Sequence, residues 1–228
     1  MSAETFALGL GHKRDGQLFV PDKSETVRPL PLLVAFHGAG GSGSQMISLL
    51  HDIADTGRFM ILAPDSRGRT WDAIRGDFGP DMGFLDRALE RMSQSYPVDL
   101  DQIAVGGFSD GASYALSVGL SNGDVFSHIL AFSPGFIPTM DVNGKPKIYI
   151  SHGRSDSVLP IERCSRRIVS QLQSLGIEVL YREFDEGHTI PQELAEEAVG
   201  WFLGPENERR ELVALAPVHA QSSGIEQT

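Results

Sequence analysis

Apolar residues along the chain follow two alternating patterns. From Leu32 onward, short runs of β-branched and aliphatic residues alternate with longer segments in which apolar residues recur every three or four positions. The short runs are typical of strands covered on both faces, and the longer segments of helices with one apolar stripe. The predicted parallel strands are Leu32–Phe36, Phe59–Ala63, Gln102–Val105, His128–Phe132, Lys147–Ser151 and Glu178–Phe184. This alternation predicts an α/β fold with a mostly parallel sheet and helices on both faces.

Two segments lie outside the alternation. Before it, Thr5–Leu10 and Gln17–Val20 flank a turn with glycine and charged residues, which predicts an antiparallel hairpin. After Leu203, a Gly-Pro pair and a charged run break the last helix, and most of the remaining residues are small or polar. We therefore expect one domain over residues 1–204 and a mobile tail or partner-docking strip over 205–228.

Composition and charge narrow the class of protein. The 228 residues suit one domain, and 19 Lys and Arg against 30 Asp and Glu give a net charge of −11, which disfavours nucleic acid as a partner. No stretch is apolar for the length of a membrane span, and the first residues lack the pattern of a signal peptide, so we expect a cytoplasmic protein. The lone cysteine, Cys164, excludes an internal disulfide and a multi-thiolate zinc site, and it lies on a helical apolar stripe as a core residue would.

The sequence Gly107-Phe108-Ser109-Asp110-Gly111 fits the pattern G-x-S-x-G. A predicted strand directly precedes it and a predicted helix directly follows it, which is the context that a nucleophile elbow requires. Glycines at the outer positions let the chain turn sharply, so that the serine hydroxyl stands clear of the sheet. Ser109 is therefore the candidate nucleophile. An ordinary glycine turn with an incidental serine is the alternative.

A serine nucleophile needs a base and an acid further along the chain, in the order Ser, Asp, His. Asp156 follows the fifth predicted parallel strand and His188 follows the last one, so both lie with Ser109 at the carboxyl edge of the sheet. Asp185 is a fallback for the acid. His152 precedes the acid and breaks the chain order, so we interpret it as a structural residue of its loop.

Glycines after the first parallel strand supply candidate donors for an oxyanion. In Phe36-His37-Gly38-Ala39-Gly40-Gly41-Ser42-Gly43, backbone N–H groups can face a ligand without side-chain obstruction. The backbone N–H of Ala39, with that of Asp110 directly after the serine, would form an oxyanion hole.

The same loop supports a rival hypothesis. Gly38-x-Gly40-x-x-Gly43 fits the dinucleotide fingerprint, and Asp65 follows 22 residues later at the end of the next strand. Read alone, this pattern predicts an oxidoreductase that binds a nicotinamide or flavin cofactor. It leaves the serine, the acid and the histidine unexplained, and His37 stands where such a fingerprint has the end of an apolar strand.

The surroundings of the predicted site suggest how a substrate would be held. Ser133–Pro146, the connection between the fourth and fifth parallel strands, has 14 residues, too few for a helical cap, so we expect an open site. Trp71, in the long loop after the second parallel strand, is a candidate wall for an acyl pocket. Phe136, Ile137 and Met140 are further candidates for substrate contacts.

Charges are dense in the loop that carries Trp71. Its arginines and aspartates are Arg67, Arg69 and Arg75 with Asp65, Asp72 and Asp77. An arginine there would suit an anionic group of a substrate. Because acidic residues are interleaved so closely, internal pairing is the favoured interpretation.

These motifs resemble the α/β-hydrolase superfamily over most of residues 32–203. Within it the chain is similar to the phospholipase/carboxylesterase branch, which includes acyl-protein thioesterases, and to the esterase domains of polyhydroxyalkanoate depolymerases. The residues that carry the resemblance are His37-Gly38-Ala39-Gly40, Gly107-Phe108-Ser109-Asp110-Gly111, His152-Gly153-x-x-Asp156-x-Val158-Leu159-Pro160 and Gly187-His188.

The resemblance implies a serine hydrolase that cleaves carboxylic esters, with thioesters and lysophospholipids as further candidates, and that needs no cofactor or metal. One departure is the Asp110-Gly111-Ala112 sequence after the serine, where thioesterase-like members carry Gln-Gly-Gly. A non-catalytic receptor with this fold is a third hypothesis, besides the esterase and the oxidoreductase. The sequence leaves the natural acyl group, the leaving group and the oligomeric state open.

Overall fold

The computed structural model describes residues 3–11, 14–22 and 28–214, with side chains described up to residue 204. Its strands are β1 (Glu4–Ala7), β2 (Gly16–Val20), β3 (Leu30–Phe36), β4 (Met60–Pro64), β5 (Val98–Phe108), β6 (His128–Phe132), β7 (Lys147–Gly153) and β8 (Val179–Phe184). Its helices are α1 (Gly43–Gly57), α2 (Asp72–Arg75), α3 (Pro80–Ser95), α4 (Asp110–Ser121), α5 (Ser165–Ser174) and α6 (Gln192–Ala214).

The described strands form one eight-stranded sheet in the order β1-β2-β4-β3-β5-β6-β7-β8. Strands β3 to β8 pair in parallel, whereas β2 is antiparallel to both β1 and β4. The six predicted parallel strands and the leading hairpin are therefore all present, with bounds that differ by a few residues. Residues 133–146, between β6 and β7, contain no helix, so no large cap lies over this edge of the sheet.

Helices cover both faces of the sheet because side chains alternate along each strand. In β3, Leu32, Val34 and Phe36 pack into one apolar cluster with helices α3, α4 and α5, whereas Leu33 and Ala35 pack into another with α1 and α6. The predicted layers of helix, sheet and helix are confirmed.

The last helix is interrupted where the sequence predicts a break. Gly204 has φ 66° and ψ 167°, outside the helical region, and helical backbone then resumes to Ala214. This continuation of helical backbone beyond Gly204 was not predicted from the sequence. The predicted mobile tail falls largely on residues 215–228, which lie outside the described residues. Among the residues that the structure describes, no helix has the length and apolarity needed to cross a membrane.

His128, the first residue of β6, is a buried polar residue that packs against α6. It is 9% exposed, and its ring lies edge-on to the rings of Trp201 and Phe202, at centroid distances of 4.9 and 5.3 Å. Burial, with the nearby charge of Lys147, lowers the pKa of His128 to about 4. The ring is therefore neutral in the folded protein at neutral pH.

We predict that His128 makes the protein sensitive to acid. Because its pKa is lower in the folded chain than in the unfolded one, folding is opposed by protonation, and stability falls as the pH drops from 6.5 through 4. In His128→Phe the free energy of unfolding should fall by about 3 kcal/mol less than in wild type over this pH range. Phenylalanine keeps the aromatic packing but has no group that titrates. Urea unfolding at several pH values between 7 and 4 measures the free energy of unfolding of each protein. The prediction is refuted if this free energy changes equally with pH in both.

Candidate active site

The turn between β5 and α4 places Ser109 in a strained conformation. Ser109 has φ 57° and ψ −120°, and its N–H donates to the carbonyl of Phe132 at 2.9 Å. The chain crosses close to the end of β3 here: a Cβ on Gly111 would lie 2.2 Å from the carbonyl oxygen of Phe36, and one on Gly107 would lie 2.6 Å from the same atom. Only glycine fits at both positions, and this close packing fixes the direction of the serine side chain.

Loops after three strands bring the predicted serine, acid and histidine together. His188 Nε2 lies 2.9 Å from Ser109 Oγ, and His188 Nδ1 lies 2.6 Å from Asp156 Oδ2. The other carboxylate oxygen of Asp156 accepts the backbone N–H groups of Val158 and Leu159, at 2.9 and 2.8 Å. The three side chains thus form one hydrogen-bonded chain in the predicted order.

The surroundings of Asp156 favour its ionised form. Burial by itself would raise the pKa of this carboxyl, but the Leu159 amide, the His188 ring and the Val158 amide all stabilise the negative charge. Their combined effect holds the pKa of Asp156 below its usual value. A buried carboxylate with donors on both oxygens is the arrangement that orients an imidazole.

The fallback acid lies outside this hydrogen-bonded chain, whereas the histidine interpreted as structural contacts its acid. Asp185, the fallback acid, is exposed and pairs with Arg154 at 2.7 Å. His152 is fully buried, and its Nε2 lies 2.8 Å from the carbonyl oxygen of Leu159 and 3.2 Å from Asp156 Oδ2. This contact with the acid was not predicted, although the two residues lie four positions apart in the sequence.

The glycine loop after β3 lies beside the serine. A Cβ on Gly38 would be 3.4 Å from Ser109 Cβ. The turn is closed by a bond from the N–H of Gly41 to the carbonyl of Gly38 at 3.0 Å, and the N–H of Gly40 donates to the carbonyl of Arg69 at 2.6 Å. Ala39 is exposed at the tip of this turn. Asp110 is the first residue of α4, where a backbone N–H has no acceptor within the helix.

Polar contacts under the loop hold it in place. His37 is 1% exposed; its Nε2 accepts the N–H of Ser66 at 3.0 Å, and its Nδ1 lies 2.7 Å from the carbonyl oxygen of Gly38. Burial is the largest cause that lowers the pKa of His37, so the ring is neutral and Nδ1 is the donor. Arg14 donates to the carbonyl oxygens of Gly41 and Ser66. No local pattern around Arg14 pointed to this contact.

The structure disfavours the dinucleotide hypothesis. The N–H of Gly43, at the start of α1, donates to Asp65 Oδ1 at 2.7 Å. In a dinucleotide site that helix end would face a pyrophosphate and the acid would bind a ribose. Here the two predicted ligand-binding groups bind each other. No cluster of three or more metal-ligating side chains occurs among the described residues.

Trp71 is placed differently from the prediction. Its side chain is 1% exposed, stacks on Tyr114 at a centroid distance of 5.0 Å and donates from Nε1 to the carbonyl of His37 at 2.8 Å. It therefore supports the glycine loop from inside the core instead of forming the wall of an open pocket. The apolar character that suggested a pocket wall is used for core packing.

The other predicted contact residues lie in the connection after β6. Phe136 is 47% exposed, whereas Ile137 and Met140 are half-buried against the core. The N–H of Gly135 donates to the hydroxyl of Ser113 on α4 at 2.9 Å, which fixes the connection against the helix that follows the serine.

Internal pairing within the charged loop was predicted, but Arg67 pairs with an acid of α3 outside that loop. The guanidinium of Arg67 donates to the carbonyl of Asp65 at 2.6 Å, lies 3.8 Å from the carboxylate of Asp81 and covers the ring of Phe84. The carboxylate of Asp110 accepts the hydroxyl of Thr70 at 2.6 Å. Arg69 and Arg75 are exposed.

Comparison with solved structures identifies the fold. A substrate-bound fluorophosphonate-binding serine hydrolase of Staphylococcus aureus superposes with a TM-score of 0.74 at 13% identity, covering 90% of this chain and 100% of that chain. Esterase PE8 gives 0.66 at 23% identity, with 82% and 96% covered. A ferulic acid esterase from Anaeromyces mucronatus, in complex with ferulic acid, gives 0.67 at 17% identity, with 87% and 88% covered. These likenesses show the α/β-hydrolase fold.

Sequence comparison identifies the family. No curated protein gives a significant match to the chain. The family model described as Phospholipase/Carboxylesterase matches residues 86–201, just over half of the chain, from within α3 to α6. The matched range contains Ser109, Asp156 and His188. The chain is a hydrolase that belongs to the phospholipase/carboxylesterase family.

Proposed function

We propose that the protein is a serine esterase in which Ser109 is the nucleophile, His188 the general acid and base, and Asp156 the residue that orients His188. The observation that carries this proposal is the unbroken hydrogen-bonded chain, 2.9 Å from Ser109 Oγ to His188 Nε2 and 2.6 Å from His188 Nδ1 to Asp156 Oδ2. A serine hydroxyl becomes nucleophilic when a neighbouring base takes its proton. The 2.9 Å contact suits that transfer, and the 2.6 Å contact orients the base.

In the first half of the reaction, Ser109 Oγ attacks the ester carbonyl carbon while its proton moves to His188 Nε2. The carbonyl π electrons move to oxygen and give a tetrahedral anion. When the anion collapses, the bond to the leaving oxygen breaks, and the alcohol leaves with the proton from His188. The acyl group is then bonded to Ser109. Asp156 stabilises the imidazolium formed on the way, which agrees with the lowered pKa of its carboxyl.

We assign stabilisation of the anion to the backbone N–H groups of Ala39 and Asp110. Ala39 lies at the tip of the turn that packs on the elbow, and Asp110 starts α4, whose dipole adds positive potential at this end. The carboxylate of Asp110 would oppose an anion, but it accepts the hydroxyl of Thr70 at 2.6 Å and is thereby held in one orientation.

The second half of the reaction regenerates the enzyme. A water molecule gives its proton to His188 and attacks the acyl carbon, and collapse of the second tetrahedral anion returns the proton to Ser109. The acid is released. All groups that this cycle needs are side chains and amides of this chain, so the proposal includes no cofactor.

For the substrate, we propose small carboxylic esters whose acyl group lies against the connection after β6, with thioesters and lysophospholipids as further candidates. Phe136 is exposed, Ile137 and Met140 lie beside it in the sequence, and Ser113 ties the connection to α4 directly after the elbow. The connection has no helix that would enclose a long substrate.

Ser109→Ala should lower kcat for a p-nitrophenyl ester by roughly 10³-fold or more, because the nucleophile is removed while binding is kept. A fluorophosphonate should label the wild type and not this variant. Ser121→Ala, at the other end of α4, is the matched control, and we expect it to retain wild-type turnover. Turnover and labelling that persist in Ser109→Ala would show that the nucleophile is a different residue.

A titration with nicotinamide dinucleotides tests the rival hypothesis on the same preparation. Because the N–H of Gly43 already binds Asp65, we expect no binding. Tight binding, together with unlabelled serine, would favour the oxidoreductase. No turnover and no binding would favour a non-catalytic receptor.

Phe136→Ala should reduce the preference for longer acyl chains. Loss of an exposed aromatic contact should raise KM for a medium-chain ester by roughly 5-fold to 10-fold and leave KM for an acetate ester almost unchanged.

Trp71→Phe should keep the wild-type ratio of the KM values for the two esters. Trp71→Phe should lower the free energy of unfolding by about 1 to 3 kcal/mol, because the buried carbonyl of His37 loses its donor. A chain-length preference that follows Trp71 and not Phe136 would contradict both assignments.

A further inference from the structure

A second histidine contacts the carboxylate that orients His188. His152, near the end of β7, has a side chain with no exposed surface, and Asp156 lies four residues later in the loop that follows. His152 Nε2 lies 3.2 Å from Asp156 Oδ2, the same oxygen that lies 2.6 Å from His188 Nδ1. Asp156 Oδ2 is therefore shared by two imidazole rings.

The contacts of His152 determine where its proton lies. Its Nε2 is 2.8 Å from the carbonyl oxygen of Leu159, which only accepts hydrogen bonds, so Nε2 carries the proton. Its Nδ1 contacts the hydroxyl of Ser165, the first residue of α5, and accepts from it in a neutral ring. Burial, the largest cause, lowers the pKa of His152, and the facing titratable groups are Asp156 and His188. The ring is thus a neutral donor at Nε2.

We propose that His152 is a positioning residue of the reaction: its Nε2–H holds Asp156 Oδ2 in line with His188 Nδ1. This inference rests on the proposed function. Two backbone amides fix the other oxygen, Oδ1, so His152 completes the set of donors that stops the carboxylate from turning about its last side-chain bond. A carboxylate that turned would lose the 2.6 Å bond to His188 and leave the imidazole free to rotate away from Ser109.

His152 also links the acid to the loop that carries it. Its Nε2–H donates to the carbonyl of Leu159, with Asp156 Oδ2 3.2 Å from Nε2, while the N–H of Leu159 donates to Asp156 Oδ1. The carboxylate, the loop backbone and the buried ring are therefore linked by direct contacts. A hydrophobic side chain at position 152 would leave one carbonyl and one carboxylate oxygen short of a donor in a buried place.

Three substitutions separate positioning from packing. His152→Met fills a comparable volume without a donor. His152→Gln places an N–H near the position of Nε2, and His152→Asn reaches only the position of Nδ1 beside Ser165. The two amides carry the same functional group at different reach, so their difference reports on the position of the donor even if His152→Met fails to fold.

We expect His152→Met and His152→Asn to lower kcat for a p-nitrophenyl ester by roughly 10-fold to 100-fold with KM within about 2-fold of wild type, because the substrate site is untouched. His152→Gln should recover kcat to within about 5-fold of wild type. Melting temperatures of all three are measured alongside. Equal kcat for the Gln and Asn variants at similar melting temperatures would overturn the proposal, since only Gln places a donor within reach of Asp156 Oδ2.

A double-mutant cycle with Asp156 provides the independent test. If His152 acts through the carboxylate, His152→Gln and His152→Asn should have the same kcat once Asp156→Ala is present. If the two variants still differ in that background, His152 acts by another route and the proposal fails. Ser109→Ala tests the proposed function itself, so failure of the nucleophile assignment and failure of the His152 assignment give different results.

Discussion

The crossing of the elbow over the end of β3 is the constraint on which the candidate site depends. Backbone atoms of Phe36 lie where side chains at Gly107 and Gly111 would have to be, so the two segments approach more closely than any other residue type permits. This approach forces Ser109 into a positive φ and directs its hydroxyl away from the sheet. It also brings the glycine loop after β3 beside the serine, because the loop begins at the same point of the same strand.

Buried histidines with neutral rings stabilise the loops around this crossing. His37 supports the glycine loop and His152 supports the acid loop; each is fully buried and each satisfies both ring nitrogens with nearby polar groups. Burial lowers the pKa of both, which suits a role as a fixed donor and acceptor. His188 differs because it lies between a hydroxyl, whose proton it can take, and a carboxylate, which orients the ring.

Close contacts also explain why two sequence patterns were misleading. The spacing of Gly38, Gly40 and Gly43 fits a dinucleotide loop, yet a Cβ on Gly43 would lie 1.9 Å from the carbonyl of Ala63, so the residue is glycine because helix and strand meet there. Trp71 lies in a loop at the expected edge, yet its ring fills the core beside Phe36 and Tyr114. A pattern of residue types does not distinguish a group that faces a ligand from one that faces its own protein.

The sequence by itself determined the strands, the layers and the three polar residues at the carboxyl edge, because alternation of apolar residues and the chain order of Ser109, Asp156 and His188 are properties of the chain written out in one dimension. Only the tertiary structure decided which groups bind one another: Asp65 with Gly43, Arg67 with Asp81, and His152 with Asp156. The physical reason is that hydrogen bonds and burial depend on distances of a few tenths of an ångström, which the folded chain fixes and residue spacing does not.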